Sequence, residues 1–353
     1  MDSRFLSKAT ASLEPYAPGE QPRDQRYIKL NTNECPYPPS PKVALALQEA
    51  SSGDLRLYPD PDATDLTAAL AEYHGLSPRQ ALACGGSDEV LAYAFMAFFD
   101  RGDRVCFPDI TYGFYQVYAD LFGLEAVKIP LRQDFTLNVE DYLGLEGHIF
   151  IANPNAPTGI ALAPGEIEKI LRDDPRRLVV VDEAYADFAP GSSCMGLIGR
   201  YDNLLIVTTF SKSRALAGMR LGAGYGDPAL ISGMNRVKYS FNPYNLDRIS
   251  MAVGIAGIQD QDYFNEIVGK ILATRQRVAG RLGGLGFTVL PSSANFLFLC
   301  HPRLSGGELY SRLRENGILV RHFQKPRIQE YIRLTIGTDA EMDIFLQKVE
   351  EWI

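Results

Sequence analysis

Apolar residues in this chain fall into two kinds of run. Blocks such as IFIA at 149–152, LVVV at 178–181 and LLIV at 204–207 are apolar at every position, not at alternate ones. Strands covered on both faces read this way, as in a parallel sheet enclosed by helices. Longer stretches repeat their apolar residues at helical spacing. The pattern predicts strands at 104–107, 126–129, 148–152, 178–181, 204–208 and 222–225. Helices are expected from about 42, at 63–73 and 87–100, and between the later strands at 112–122, 164–172 and 228–238. Residues 239–245 read as a linker. Beyond it come a long helix at 261–284, strands near 287–290 and 295–300, a helix at 305–316, strands at 318–321 and 331–336, and a closing helix at 339–352. The expectation is an α/β chain. A proline-rich arm spans 1–40, a large domain 41–245, and a smaller α+β domain 246–353.

Composition narrows the function classes. The 353 residues are 46% hydrophobic and 22% charged, which excludes a wholly disordered chain. With 43 acidic against 35 basic residues, the net charge of −8 provides no global attraction for nucleic acid or anionic lipid. The cysteines at 35, 84, 106, 194 and 300 are odd in number and lack a Cys-x-x-Cys pair, so a reducing, cytoplasmic setting is expected. The four histidines are scattered without metal-ligand spacing, and no metal is expected. The opening MDSRFLSKAT lacks the apolar core of a signal peptide. The ten-residue run 90–99 is too short to cross a bilayer.

Ligands of open α/β sheets bind beyond the C-terminal strand ends, and four polar clusters fall there. These are Gly85-Gly-Ser-Asp88 ahead of a helix, Asn153-Pro-Asn-Ala-Pro-Thr-Gly159, Asp182-Glu-Ala-Tyr185, and Thr209-Phe-Ser-Lys212. Gly85-Gly86-Ser87 suits a phosphate, because a helix start offers free N–H groups and a positive dipole end. An ordinary glycine turn with an N-cap is the competing reading. Gly222-Ala-Gly-Tyr-Gly226 lacks dinucleotide-binding spacing and reads as a tight turn. Lys212 beside a phosphate cup suggests a Schiff-base lysine, with Asp182 placed to hold a pyridinium nitrogen, the pair that pyridoxal phosphate requires. A plain phosphate-binding charge or a helix cap stays open at this level. Tyr112, Tyr115 and Tyr118 also suit a packed helix face. Glu34, Glu89 and Glu183 read as caps or supporting groups.

Ser211-Lys-Ser-Arg-Ala-Leu-Ala-Gly-Met-Arg220 closely resembles the cofactor-lysine motif of the fold-type-I, pyridoxal-phosphate-dependent aminotransferases. Its form is most similar to the histidinol-phosphate aminotransferases of class II. Further blocks agree in order: Leu13–Tyr16, Leu30-Asn-Thr-Asn-Glu34, Leu57–Asp60, Gly85–Glu89, Pro108–Tyr112, Asn153–Gly159, Asp182–Tyr185, Pro243–Asn245 and Ile332–Gly337. The resemblance implies a large domain with a mostly parallel seven-stranded sheet flanked by helices, an arm that joins the small domain, and a homodimer with shared sites.

It also implies roles. Lys212 bonds the cofactor, Asp182 pairs with its ring nitrogen, Tyr185 meets its ring hydroxyl, and Tyr112 stacks on the ring. Ser87, Asp88, Thr209, Ser211 and Arg220 hold the phosphate, joined by Tyr58 from the partner subunit. Arg333 grips a substrate carboxylate or phosphate, while Tyr16 and Arg321 meet the distal end. One position departs from the family pattern: Ala156 stands where asparagine usually also bonds the ring hydroxyl. Asn155 or a water takes over, or Tyr185 holds that oxygen alone. Cys35 is a lesser departure with no assigned role. The implied reaction is ping-pong transamination of L-histidinol phosphate with 2-oxoglutarate, yielding imidazole acetol phosphate and glutamate. An aromatic amino acid aminotransferase or a threonine-phosphate decarboxylase shares these residues. An effector-binding transcription regulator would need a DNA-binding domain ahead of Leu30.

Overall fold

A computed structural model of the chain describes residues 4–51 and 55–353. Met1–Ser3 of the expected arm, and residues 52–54 within the expected large domain, lie outside the described residues. Among the described residues the strands are β1 (Ile28–Leu30), β2 (Ala81–Cys84), β3 (Arg104–Pro108), β4 (Glu125–Ile129), β5 (His148–Ala152), β6 (Val179–Asp182), β7 (Leu204–Thr209), β8 (Gly222–Gly226), β9 (Thr288–Val289), β10 (Phe296–Cys300), β11 (Ile318–His322) and β12 (Ile332–Thr335).

They form two sheets. The larger has seven strands in the order β2-β8-β7-β6-β5-β3-β4, all parallel except β8, which is antiparallel to both its neighbours. Consecutive residues of its central strands pack to opposite sides. Ile149, Ile151, Val179, Val181 and Ile206 join one apolar cluster, and Phe150, Val180, Leu205 and Val207 join another. The unbroken apolar blocks thus arise because helices cover both faces.

The smaller sheet runs β1-β11-β12-β10-β9. Its third cluster centres on Phe296, Leu334 and Phe345, with Ile271 and Val278 supplied by the 24-residue helix Gln261–Gly284. Its edge strand β1 comes from the N-terminal arm and pairs in parallel with β11.

Besides β1, which the sequence reads only as part of the arm, three features differ from the sequence expectation. Helix Arg248–Gln259 fills much of the stretch after the expected linker, and its Val253 and Ile258 pack in the large-sheet core, although they lie beyond residue 245. The Gly222–Gly226 segment is the strand that its pattern predicts, not the tight turn that its glycines suggest. A Cβ on Gly222 would sit 2.5 Å from the Ser87 nitrogen, so glycine lets β8 lie against the backbone at 86–87. Strand β2, which pairs with β8, is the third.

Candidate active site

The C-terminal ends of β2, β5, β6 and β7 open onto one cavity of about 300 Å³. Nine residues expected from the sequence line it: Ser87, Asp88, Tyr112, Asp182, Tyr185, Thr209, Ser211, Lys212 and Arg220. They come from segments scattered over more than a hundred residues because parallel strands deliver their following loops to the same edge.

One end of the cavity is built for an anion. Helix Ser87–Phe98 starts after Gly86, whose φ of +95° admits glycine readily, and no side chain caps its first N–H groups. Around that free helix start stand Thr209 and Ser211, with hydroxyl oxygens 2.9 Å apart, and Arg220. Arg220 donates to Ser211 Oγ at 3.4 Å and to Asp88 Oδ2 at 3.2 Å. Asp88 is held in turn by the Tyr112 hydroxyl at 2.9 Å, while the Tyr118 hydroxyl donates to the Asp88 backbone oxygen at 2.8 Å.

At the other end, Asp182 closes β6. Its carboxylate accepts from the Ala184 N–H at 3.1 Å and from the Tyr115 hydroxyl at 3.2 Å. Burial pushes its pKa up to about 6. A cation placed against it would be strongly favoured. In the sequence Tyr115 reads only as a member of a tyrosine stripe, and no local pattern there points to its contact with Asp182.

Lys212 lies between these ends. Its Nζ donates to the Thr32 carbonyl at 3.0 Å. Burial, with Arg333 nearby, draws its pKa down to about 8, so a useful fraction of the amine is neutral near physiological pH. Three successive residues of the arm segment after β1 reach the site: Asn31 through its carbonyl to Arg333, Thr32 to Lys212, and Asn33 through its amide to Tyr185. The sequence singled out none of these three contacts. Glu34 also lines the cavity, accepting from Lys29 and from Thr32 Oγ1 at 2.7 Å. Glu89 and Glu183 act as backbone acceptors, the former for Gly85 and the latter for Cys194.

A second cavity, about 390 Å³, shares Tyr112 and Ala156 with the first and contains Tyr16, Arg321 and Arg333. Tyr16 stacks on Phe114 at 4.3 Å. Arg321 donates to the carbonyls of Ala17 and Pro18, fastening the arm. Arg333 donates once, to Asn31 O at 3.0 Å, and its Nε is buried with no hydrogen-bond partner. An unpartnered guanidinium N–H calls for an anionic ligand.

Two expected residues stand elsewhere. Asn155 does not line either of these cavities, which corrects the expectation that it reaches a cofactor. Its Oδ1 accepts from Thr111 at 2.7 Å and its Nδ2 donates to Ile110 O and Thr158 Oγ1, both at 3.0 Å, so its amide is fully used in tying two loops together. Its neighbour Ala156 presents only a methyl group to the cavity. Tyr58 lies on the surface, 77% exposed, with its ring stacked on Tyr244 at 4.5 Å. Among the described residues no group of His, Cys, Asp and Glu could hold a metal ion, and no helix is long and apolar enough to cross a membrane.

Comparison with known proteins agrees with this geometry. The profile of the family described as aminotransferase class I and II matches residues 25–349. A histidinol-phosphate aminotransferase of Brachyspira hyodysenteriae is 51% identical over 98% of this chain and 98% of its own length. One from Clostridium acetobutylicum is 47% identical over 99% of both. The crystal structure of histidinol-phosphate aminotransferase from Sinorhizobium meliloti in complex with pyridoxal-5′-phosphate superimposes with a TM-score of 0.91 at 26% identity, covering 100% of this chain and 99% of that one.

Proposed function

The chain belongs to the class I and II aminotransferases, and from that premise we propose that it moves the amino group of L-histidinol phosphate to 2-oxoglutarate. The products are imidazole acetol phosphate and L-glutamate, a step of histidine biosynthesis. The cofactor is pyridoxal 5′-phosphate. The observation that carries the reading is the half-buried Lys212 amine, set between a phosphate cup and the buried carboxylate of Asp182.

The residues fit the cofactor. The uncapped helix start, the two hydroxyls and Arg220 suit its phosphate, and Gly222 leaves the close approach that a Cβ would block. Bound there, pyridoxal phosphate supplies an electron-withdrawing ring that accepts the electrons released when the substrate loses its proton. Lys212 would be the residue that holds it covalently, and the neutral Lys212 amine, when free, would take the proton from the substrate's amine-bearing carbon and give it back, as base and then acid. Asp182 would hold the ring nitrogen in its protonated state, Tyr112 would cover the ring, and Tyr185 would donate to its hydroxyl oxygen. Arg333 binds phosphate in one half-reaction and carboxylate in the other, since a guanidinium fork suits both. Tyr16 and Arg321 face the distal end.

The working unit in this reading is a homodimer in which Tyr58 reaches the partner's phosphate cup. Support comes from the exposed apolar residues Leu57, Tyr58, Phe241 and Tyr244, a patch suited to a second copy. The five cysteines are unpaired, in keeping with a cytoplasmic setting. The two sheets, with separate cores, support a division into arm, large and small domains.

The test is a single-turnover panel on cofactor-loaded protein with histidinol phosphate, phenylalanine, tyrosine, threonine phosphate and glutamate. Each amine is scored by loss of the resting absorption band, with carbon dioxide release measured alongside. Histidinol phosphate should react fastest and glutamate should regenerate the aminated cofactor. A faster aromatic amino acid, or release of carbon dioxide, would overturn the substrate assignment. Lys212→Ala should lack both the band and turnover.

A further inference from the structure

We infer that Asn33 is a positioning residue that commits the Tyr185 hydroxyl to donate its proton into the cofactor cavity, the task left short-handed by Ala156. Asn33 lies just past β1, Tyr185 past β6, and Thr335 at the end of β12, so the small sheet and the large one meet at this point. All three are buried.

The direction of each hydrogen bond follows from donor counting. The Asn33 N–H donates to Thr335 Oγ1 at 3.0 Å, so that hydroxyl is already an acceptor. Its own proton goes to Asn33 Oδ1, also at 3.0 Å. With the carbonyl end of the amide engaged by Thr335, the NH₂ end faces Tyr185 and donates to its hydroxyl oxygen at 2.8 Å. Tyr185 has a single proton. With its oxygen accepting from Asn33, that proton is left to point into the cavity Tyr185 lines. Asn33 holds φ at +57°, a left-handed conformation that asparagine tolerates, and Asn295 Nδ2 pins its carbonyl at 3.0 Å. The charges facing Tyr185 are Arg333 and Asp182, with Lys212 Nζ 6.0 Å from the ring centre.

The inference rests on the proposed pairing of Tyr185 with the cofactor's ring oxygen. A hydrogen bond donated to that oxygen stabilises its ionised form, and so lowers the pH at which the resting absorption band of the loaded enzyme changes. The experiment titrates that band in the wild type, Asn33→Gly, Asn33→Asp, Thr335→Val and Tyr185→Phe. Glycine keeps the positive φ without strain and deletes the donor. Aspartate keeps the shape but offers an acceptor, which draws the Tyr185 proton away from the cavity.

The midpoint should rise by about one pH unit in Tyr185→Phe, for loss of one hydrogen bond to a charged oxygen. Asn33→Asp should match it. Asn33→Gly and Thr335→Val should fall between these and the wild type. In a Tyr185→Phe background, Asn33→Gly should add nothing, whereas a merely structural role would shift both backgrounds alike. If Tyr185→Phe moves the midpoint and neither Asn33→Asp nor Thr335→Val does, the role of Asn33 is overturned while that of Tyr185 stands. If Tyr185→Phe leaves the midpoint in place, both fail. Thr335→Val, which leaves Asn33 intact, decides the question should the Asn33 variants not fold.

Discussion

Replacing Lys212 by methionine should make the cofactor-free protein more stable at neutral pH. The ammonium is held in a cavity where burial and Arg333 disfavour its charge, drawing its pKa from an ordinary 10.5 to about 8. That depression corresponds to a cost of about 3 kcal/mol for keeping Lys212 charged in the folded state. The side chain is only half-buried, so solvent screening reduces the figure. Methionine also forfeits the hydrogen bond to the Thr32 carbonyl, worth about 1 kcal/mol. A net gain of about 1–2 kcal/mol remains. Its pH dependence has a definite sign. Below pH 8 the folded and unfolded chains both carry the ammonium, and the cost is in full force. Between 8 and 10.5 the folded chain sheds a proton that the unfolded chain keeps, so wild-type stability rises with pH and the gap narrows. Urea unfolding of both proteins, cofactor-free and at equal concentration, is measured at pH 7 and at pH 10. A variant no more stable than wild type at pH 7, or a gap just as wide at pH 10, would refute the reasoning.

Four further outcomes are expected. Arg333→Leu should weaken binding of amine and oxo acid alike by about 10–100-fold, since each loses a charge-assisted contact; stopped-flow half-reactions unaffected by the change would remove Arg333 from the anion site. The same variant should raise the pKa of Lys212 by deleting a nearby positive charge, read as an alkaline shift in the pH profile of cofactor capture. Gly222→Ala should raise the cofactor's dissociation constant at least about tenfold, because its Cβ would collide with the Gly86–Ser87 backbone; unchanged affinity in a fluorescence titration would contradict the cup. Asp182→Asn should lower kcat by about a hundredfold or more, as a neutral amide no longer holds the ring nitrogen protonated, and steady-state rates near wild type would exclude that role.

Much of this site was legible because parallel strands write themselves plainly. Runs such as IFIA and LVVV announce strands buried on both faces, and the polar residues that follow them must share an edge. The elements that escaped notice did so for physical reasons. Strand β2 is the short block ALAC, whose small residues carry little strand preference. Helix Arg248–Gln259 contains Gly254 and Gly257, which read as breakers. In the fold they are spacers, since a Cβ on Gly254 would lie 3.0 Å from Leu66 and 3.1 Å from Leu221. Asn155 illustrates the opposite error. It has the right chemistry in the right motif, but its side chain points away from the cavity that Ala156 faces. Asn33 falls in a block that resembles the family, but its role is not legible there, because its partners Tyr185 and Thr335 lie 152 and 302 residues away.

The parallel pairing of β1 with β11 joins Ile28 to Ile318. The strap that follows β1 therefore leaves the ribosome long before its anchor β11 does. The large sheet has all its strands once residue 226 has emerged, whereas Arg333, Lys212 and Tyr185 gain their contacts with Asn31, Thr32 and Asn33 only after β11 has followed. A nascent chain that has not yet made β11 holds the residues of the phosphate cup but not the wall that the strap supplies. The order of synthesis thus builds the cup first and sets the strap over it afterwards.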